Sequence, residues 1–94
     1  MPRQIKWSSA FRRDYKREKK GVLGAKLDEL ILEIGNALAC DTPLPERCRD
    51  HALAGDWLDH RDCHLRPDLV LIYRKTSDDI LIFVRLGSHS ELGL

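Results

Sequence analysis

Leu69-Val70-Leu71-Ile72-Tyr73, then the polar cluster Thr76-Ser77-Asp78-Asp79, then Ile80-Leu81-Ile82-Phe83-Val84-Arg85-Leu86: this stretch decides the fold. Short, dense apolar runs rich in β-branched and aromatic residues read as strands with both faces covered, and the cluster between them reads as a turn. The pair predicts an antiparallel hairpin at the centre of a sheet. Towards the N-terminus, Pro67-Asp68 turns the chain. Trp57 to Leu65 alternates well enough for a further strand, and its polar content marks an exposed or functional face. Residues 46–55 read as a loop that carries His51.

Before that loop the period changes. Leu23, Leu27, Leu30, Ile31, Ile34 and Leu38 fall on one stripe of a 3.6-residue period, which predicts a helix. Gly35 weakens it by up to about 1 kcal/mol relative to alanine, and Asp41-Thr42-Pro43-Leu44-Pro45 is expected to end it, since proline cannot continue a helix. Phe11 and Tyr15, four apart behind the N-cap candidates Ser8-Ser9, predict an earlier helix ending near Gly21. Arg3 to Trp7 alternates as a short first strand. The order β-α-α-β-β-β predicts an α+β domain, with two N-terminal helices packed on a small, mainly antiparallel sheet.

Residues 1–94 make one domain, long enough for a single core. No apolar run approaches the roughly 18–20 residues that span a membrane, and the N-terminus has no signal-type segment. A cytoplasmic protein without a membrane partner is expected. Cys40, Cys48 and Cys63 are odd in number and form no Cys-x-x-Cys pair, so a disulfide framework or zinc ribbon is disfavoured. Cys63 beside His64 and near His60 lacks a second ligand pair at a recognisable spacing, so no metal or cofactor is expected.

The net charge of +1 hides an asymmetry. Residues 1–26 hold nine Lys or Arg against two acids, and residues 27–94 hold seven against thirteen. Arg12, Arg13, Lys16, Arg17, Lys19 and Lys20 make a basic face. A polyanion or an acidic protein finds such a face by long-range attraction, although a solvated helix surface has the same composition.

All four histidines lie in the second half of the chain: His51, His60, His64 and His89. Imidazole, with an unperturbed pKa near ~6.5, gives or takes a proton at neutral pH. Taken singly, each has an ordinary structural explanation, and His60 reads best as an exposed strand residue. Together with Asp68, Arg61 and Arg85, the others suit cleavage of RNA by its own 2′-hydroxyl. That reaction needs a base, an acid and a cation against the charge of the phosphorane. Two histidines supply the first pair, and the planar guanidinium matches a phosphate.

The joint pattern resembles a known family. Asp50-His51-x-Leu53-x-Gly55-x-Trp57, then Arg61-Asp62-x-His64-x-x-Pro67-Asp68-x-x-Leu71-Ile72-Tyr73, then Arg85-x-Gly87-Ser88-His89-x-x-Leu92 resemble the RelE/ParE superfamily of bacterial type II toxins, in its YafQ-type branch. The N-terminal half is similar mainly in its layout and basic character. The resemblance implies a RelE-like fold and a ribosome-dependent mRNA endonuclease, an mRNA interferase, that cuts the message in the ribosomal A site without a metal. It implies His51 as leading general base, with Asp68 as the alternative, His89 as general acid, and His64 and Asp68 in support of proton transfer. Arg85 would contact the scissile phosphate, with Arg61 as a second phosphate ligand. The six N-terminal cations would dock on ribosomal RNA. The implied partners are the 70S ribosome with its mRNA, and a cognate antitoxin in a hetero-oligomer of two copies each, through which alone the toxin would meet DNA. Where the family commonly carries an aromatic residue four positions after the last histidine, this chain has Gly93. Two other readings stay open: a ParE-like gyrase poison, and an inactive antitoxin-binding module.

Overall fold

The hairpin forms as read, at the centre of a five-stranded sheet. The computed structural model describes residues 2–94. Its elements are β1 (Gln4–Trp7), α1 (Ser9–Lys19), α2 (Gly24–Ala39), β2 (His51–Ala52), β3 (Arg61–Arg66), β4 (Leu69–Lys75), β5 (Ile80–Gly87) and α3 (His89–Leu92), with 3₁₀ turns at Glu46–Cys48 and Gly55–Trp57. The strand order is β1-β5-β4-β3-β2. β1 runs parallel to β5; the other pairs are antiparallel.

The helices cover one face of the sheet. Phe11 of α1 and Leu27, Ile31, Ile34 and Leu38 of α2 pack with Leu71, Tyr73, Leu81, Phe83 and Leu86 in the main core. Gly35 has a use that its helix propensity hides: a Cβ there would lie 3.1 Å from the Phe83 ring, so glycine lets helix and sheet approach closely. The other face holds a smaller cluster, Val70, Ile72 and Leu92, with Leu53, Trp57 and Val84 against it.

A bulge lets β5 serve both faces. Tyr73 pairs with Phe83 and Ile72 with Arg85, so Val84 is the extra residue. Strict alternation from Leu81 and Phe83 would aim Arg85 into the main core. The bulge turns Leu86 inward instead, fully buried. Beyond Trp7 the outer edge of β5 has no strand partner among the described residues, and α1 takes over. Ser8 Oγ donates to the Val84 carbonyl at 2.8 Å, Asp14 accepts the Leu86 N–H at 2.9 Å, and Arg17 donates to the Leu86 carbonyl at 2.8 Å.

Four expectations need correction. The strand expected from Trp57 begins only at Arg61, because the 3₁₀ turn at Gly55–Trp57 and left-handed backbone at Asp59 (φ 71°) break the extended run. The loop at 46–55 is not featureless: two of its residues form β2, which sets His51 opposite Asp62. The segment from Asp41 stops α2 as expected, but proline is not the cause. The chain leaves the helix at left-handed Asp41 (φ 55°), where the Asp41 and Thr42 N–H groups bond the carbonyls of Leu38 and Ala37. The C-terminus adds α3, a single turn closed by a capping box: Ser88 accepts from the Glu91 N–H, and the Glu91 carboxylate accepts from the Ser88 N–H.

Candidate active site

Alternation along β3 sends Cys63 into the main core, so Asp62 and His64 project from the opposite face. β2 brings His51 across from Asp62. The turn after β3 supplies Asp68, and the start of α3 supplies His89. The structure joins the last two directly: one Asp68 oxygen accepts from the His89 ring Nδ1 at 2.7 Å and from its backbone N–H at 3.1 Å. The His64 and His89 rings meet edge to face, 4.9 Å between centroids.

These contacts fix which nitrogens are free. A carbonyl only accepts, so the 2.6 Å contact of His51 Nδ1 with the Arg49 carbonyl makes Nδ1 the donor. In the neutral ring, Nε2 is then left with its lone pair. The His89 bond holds the Asp68 carboxyl below its usual range, so the carboxylate accepts and His89 Nδ1 donates. Its Nε2 is likewise free. Burial, then the neighbouring His89, push the His64 imidazole below its ordinary value, so it stands neutral at neutral pH.

Asp62 is a member that reasoning from sequence gave no role. It is 2 % exposed, and its Oδ1 has no hydrogen-bond partner among the described residues. That oxygen lies 3.1 Å from His51 Nδ1, but the hydrogen of that nitrogen points to Arg49. Burial raises the Asp62 carboxyl, against the pull of His51, His64 and His89. One buried carboxylate therefore feels all three rings.

The two arginines expected at phosphate are already engaged. Arg61 Nε donates to Asp50 at 3.2 Å, and the Tyr73 hydroxyl donates to the same oxygen. Arg85 grips Asp14 through Nε at 2.7 Å and Nη2 at 3.3 Å. Burial alone would raise the Asp14 carboxyl, but Arg85, the Leu86 N–H and Arg17 together hold it below its ordinary value. Asp14 lies three residues after Phe11 on the apolar stripe of a basic helix, a signal that sequence inspection passes over.

The basic face also divides. Arg17 pairs with Asp14, Glu18 and Glu91, and Lys19 pairs with Asp28 at 2.7 Å. Arg12, Arg13, Lys16 and Lys20 are exposed and have no carboxylate partner among the described residues. Beside His64 and His89 opens a cleft of about 620 Å³. Arg47, Arg49 and Arg66 line it, and nothing in the sequence marks them beyond charge near the histidine motifs.

Two helices on one face of a mixed sheet, with a histidine and aspartate cluster on the other, define a RelE-like toxin. The chain belongs to the YafQ family, bacterial toxins of type II toxin–antitoxin systems, whose family model matches residues 3–93. It is 40% identical over 92 residues to the mRNA interferase toxin YafQ of Escherichia coli K12, covering 96% of this chain and 95% of that one. YafQ in the E. coli DinJ–YafQ toxin–antitoxin complex superposes with a TM-score of 0.80 at 34% identity, covering 98% of each chain. A copper-bound mutant toxin from Helicobacter pylori superposes with a TM-score of 0.83 at 37% identity, covering 96% of this chain and 98% of that one.

Proposed function

We propose that this toxin is an mRNA interferase that cleaves messages on the ribosome by acid–base catalysis. The observation that carries the reading is the pair of anchored rings. His51 and His89 are each held through Nδ1, by the Arg49 carbonyl and by the Asp68 carboxylate, and each keeps Nε2 for the substrate. His51 Nε2 takes the proton of the 2′-hydroxyl. The 2′-oxygen attacks the adjacent phosphorus, and the bond to the 5′-oxygen breaks. Protonated His89 gives its Nε2 proton to that leaving oxygen. The products are a 2′,3′-cyclic phosphate and a free 5′-hydroxyl. His64, neutral beside His89, supports the proton transfer. Arg85, held by Asp14 through Nε and Nη2, meets the charge of the phosphorane only with the donors that Asp14 leaves open, and Arg61 adds positive potential.

No step runs through a metal. Among the described residues no three His, Cys, Asp or Glu side chains are arranged to hold an ion.

Ribosomal RNA is the partner for the open cations of α1 and its C-cap. An antitoxin whose acidic tail folds on binding competes for the same face, in a complex of two toxins and two antitoxins that meets DNA through the antitoxin. No helix is long and apolar enough to cross a membrane among the described residues, and the cytoplasm is the proposed site of action. Changing Arg12, Arg13, Lys16 and Lys20 together to glutamine makes the salt dependence of ribosome binding shallower, by roughly 0.7–0.9 in log–log slope for each phosphate no longer neutralised. Binding titrations across a salt series read this directly; an unchanged slope places docking elsewhere.

The function itself is tested by primer extension on messages from translating ribosomes, wild type beside a His51→Ala/His89→Ala double variant. In-frame cuts that vanish in the variant are the expected result. Folded wild type that leaves messages whole refutes the reading. Cuts in naked RNA at the same rate would remove the ribosome from it.

A further inference from the structure

We propose that Arg47, Arg49 and Arg66 form a second phosphate subsite, which holds the phosphodiester on the 3′ side of the scissile bond. The inference rests on the catalytic reading above and extends it to the substrate strand.

Three observations carry it. First, the charge here is uncommitted. Arg17, Arg61 and Arg85 are spoken for by carboxylates at 2.7–3.2 Å. Arg49 and Arg66 have no carboxylate partner among the described residues, and Arg47 reaches only Glu33, at 3.8 Å with both side chains largely exposed. Of the two acids in the histidine cluster, Asp68 holds His89 and Asp62 is buried. Second, the three arginines come from two segments far apart in sequence and line one concavity. Arg47 lies in the 3₁₀ turn at Glu46–Cys48, Arg49 caps that turn, and Arg66 ends β3. Arg49 adopts a left-handed conformation, φ 48° and ψ 44°, which is uncommon for a residue with a Cβ. Its carbonyl anchors His51, and the same residue lines the cleft.

Third, the cleft lies on one side of the chemistry. His64 and His89 line it, and His51 does not. His89 protonates the leaving 5′-oxygen, so the strand that begins at that oxygen runs along the His89 side. A cleft of about 620 Å³ has room for a nucleotide there. The guanidinium groups match its phosphate by charge and by paired donors.

The test is a cycle between protein and message. Ribosomes are programmed with a synthetic message carrying either a natural or a neutral methylphosphonate linkage at the first position 3′ of the cut. Single-turnover cleavage is followed against toxin concentration for wild type and for an Arg47→Gln/Arg66→Gln double variant. Both substituted residues are exposed, so the variant folds, and Arg49 with its carbonyl is untouched. With the natural message, the variant needs roughly tenfold more toxin for half-maximal rate, as expected when charge-assisted hydrogen bonds are removed, while its maximal rate stays within about twofold. The methylphosphonate costs wild type a similar factor and costs the variant little. If the variant matches wild type on natural message, the subsite is refuted while the catalytic reading stands. If the two losses multiply, the arginines contact something other than this phosphate, such as ribosomal RNA, and the proposal fails. Wild type that cuts neither message overturns the catalytic reading and this inference together.

Discussion

Replacing His89 with alanine slows single-turnover cleavage by at least about 10²-fold, the usual contribution of a positioned general acid. The 5′-oxygen is a poor leaving group as an alkoxide, and Nε2 of His89 is the proton source that removes the problem. The loss is chemical and not structural. The capping box of α3 uses Ser88 and Glu91, Leu92 anchors the turn in the second cluster, and the backbone N–H at position 89 still reaches Asp68. A message with sulfur in place of the leaving oxygen separates the two explanations, because a thiolate leaves without a proton. The variant is expected to cut that substrate within about tenfold of wild type. Slow cleavage of both substrates would show that His89 does something other than protonate.

Asp14→Ala has the largest expected effect on stability. The Asp14 carboxylate gathers two donors from Arg85, one from Arg17 and the Leu86 N–H. Truncation strands an arginine against the sheet and leaves an edge amide without a partner. Breaking such a pair costs about 3 kcal/mol, which lowers the melting temperature by roughly 12–24 °C in a domain this small. The pH dependence has a definite sign. The carboxyl titrates below its ordinary value when folded, so its contribution is complete above about pH 4, the unfolded value. It is lost as pH falls through the lower folded value. Denaturation followed by circular dichroism therefore shows a full gap between wild type and variant at pH 7, closing in acid. A gap under about 1 kcal/mol at pH 7, or one that widens in acid, contradicts the account.

Much of this architecture is legible before any coordinates. The hairpin of residues 69–86 announces itself because its runs are dense, branched and separated by a turn cluster. The stripe of α2 does so because six apolar residues keep one period. The polar constellation is legible as a set of residue types at motif spacings, while its geometry is not. That Asp68 holds His89, and that the Arg49 carbonyl holds His51, depends on segments far apart in sequence or on backbone direction. β2 escapes notice because two residues are too few to show a period. The strand start at Arg61 is misplaced because alternation continues through Trp57 to His60, where a 3₁₀ turn and a left-handed residue have already broken the extended chain. The capping box Ser88-x-x-Glu91 and the acid on the apolar face of α1 are readable signals that a search for catalytic groups passes over. Nothing in the sequence marks the bulge at Val84.

That bulge also fixes how the C-terminal third of the chain tolerates change in length. One extra residue separates the register of Phe83 from that of Leu86. Deleting a codon at Val84 would close the ladder into regular alternation, with Phe83 still opposite Tyr73, Arg85 opposite Ile72 and Leu86 opposite Leu71. Leu86 would keep its place in the core, and the turn that carries His89 would keep its register. Val84 itself is only half-buried, so its loss removes little packing. At this point of the toxin, an in-frame deletion should be easier to accommodate than the same deletion in the regular pairing of residues 81–83, where a one-residue slip turns side chains to the opposite face.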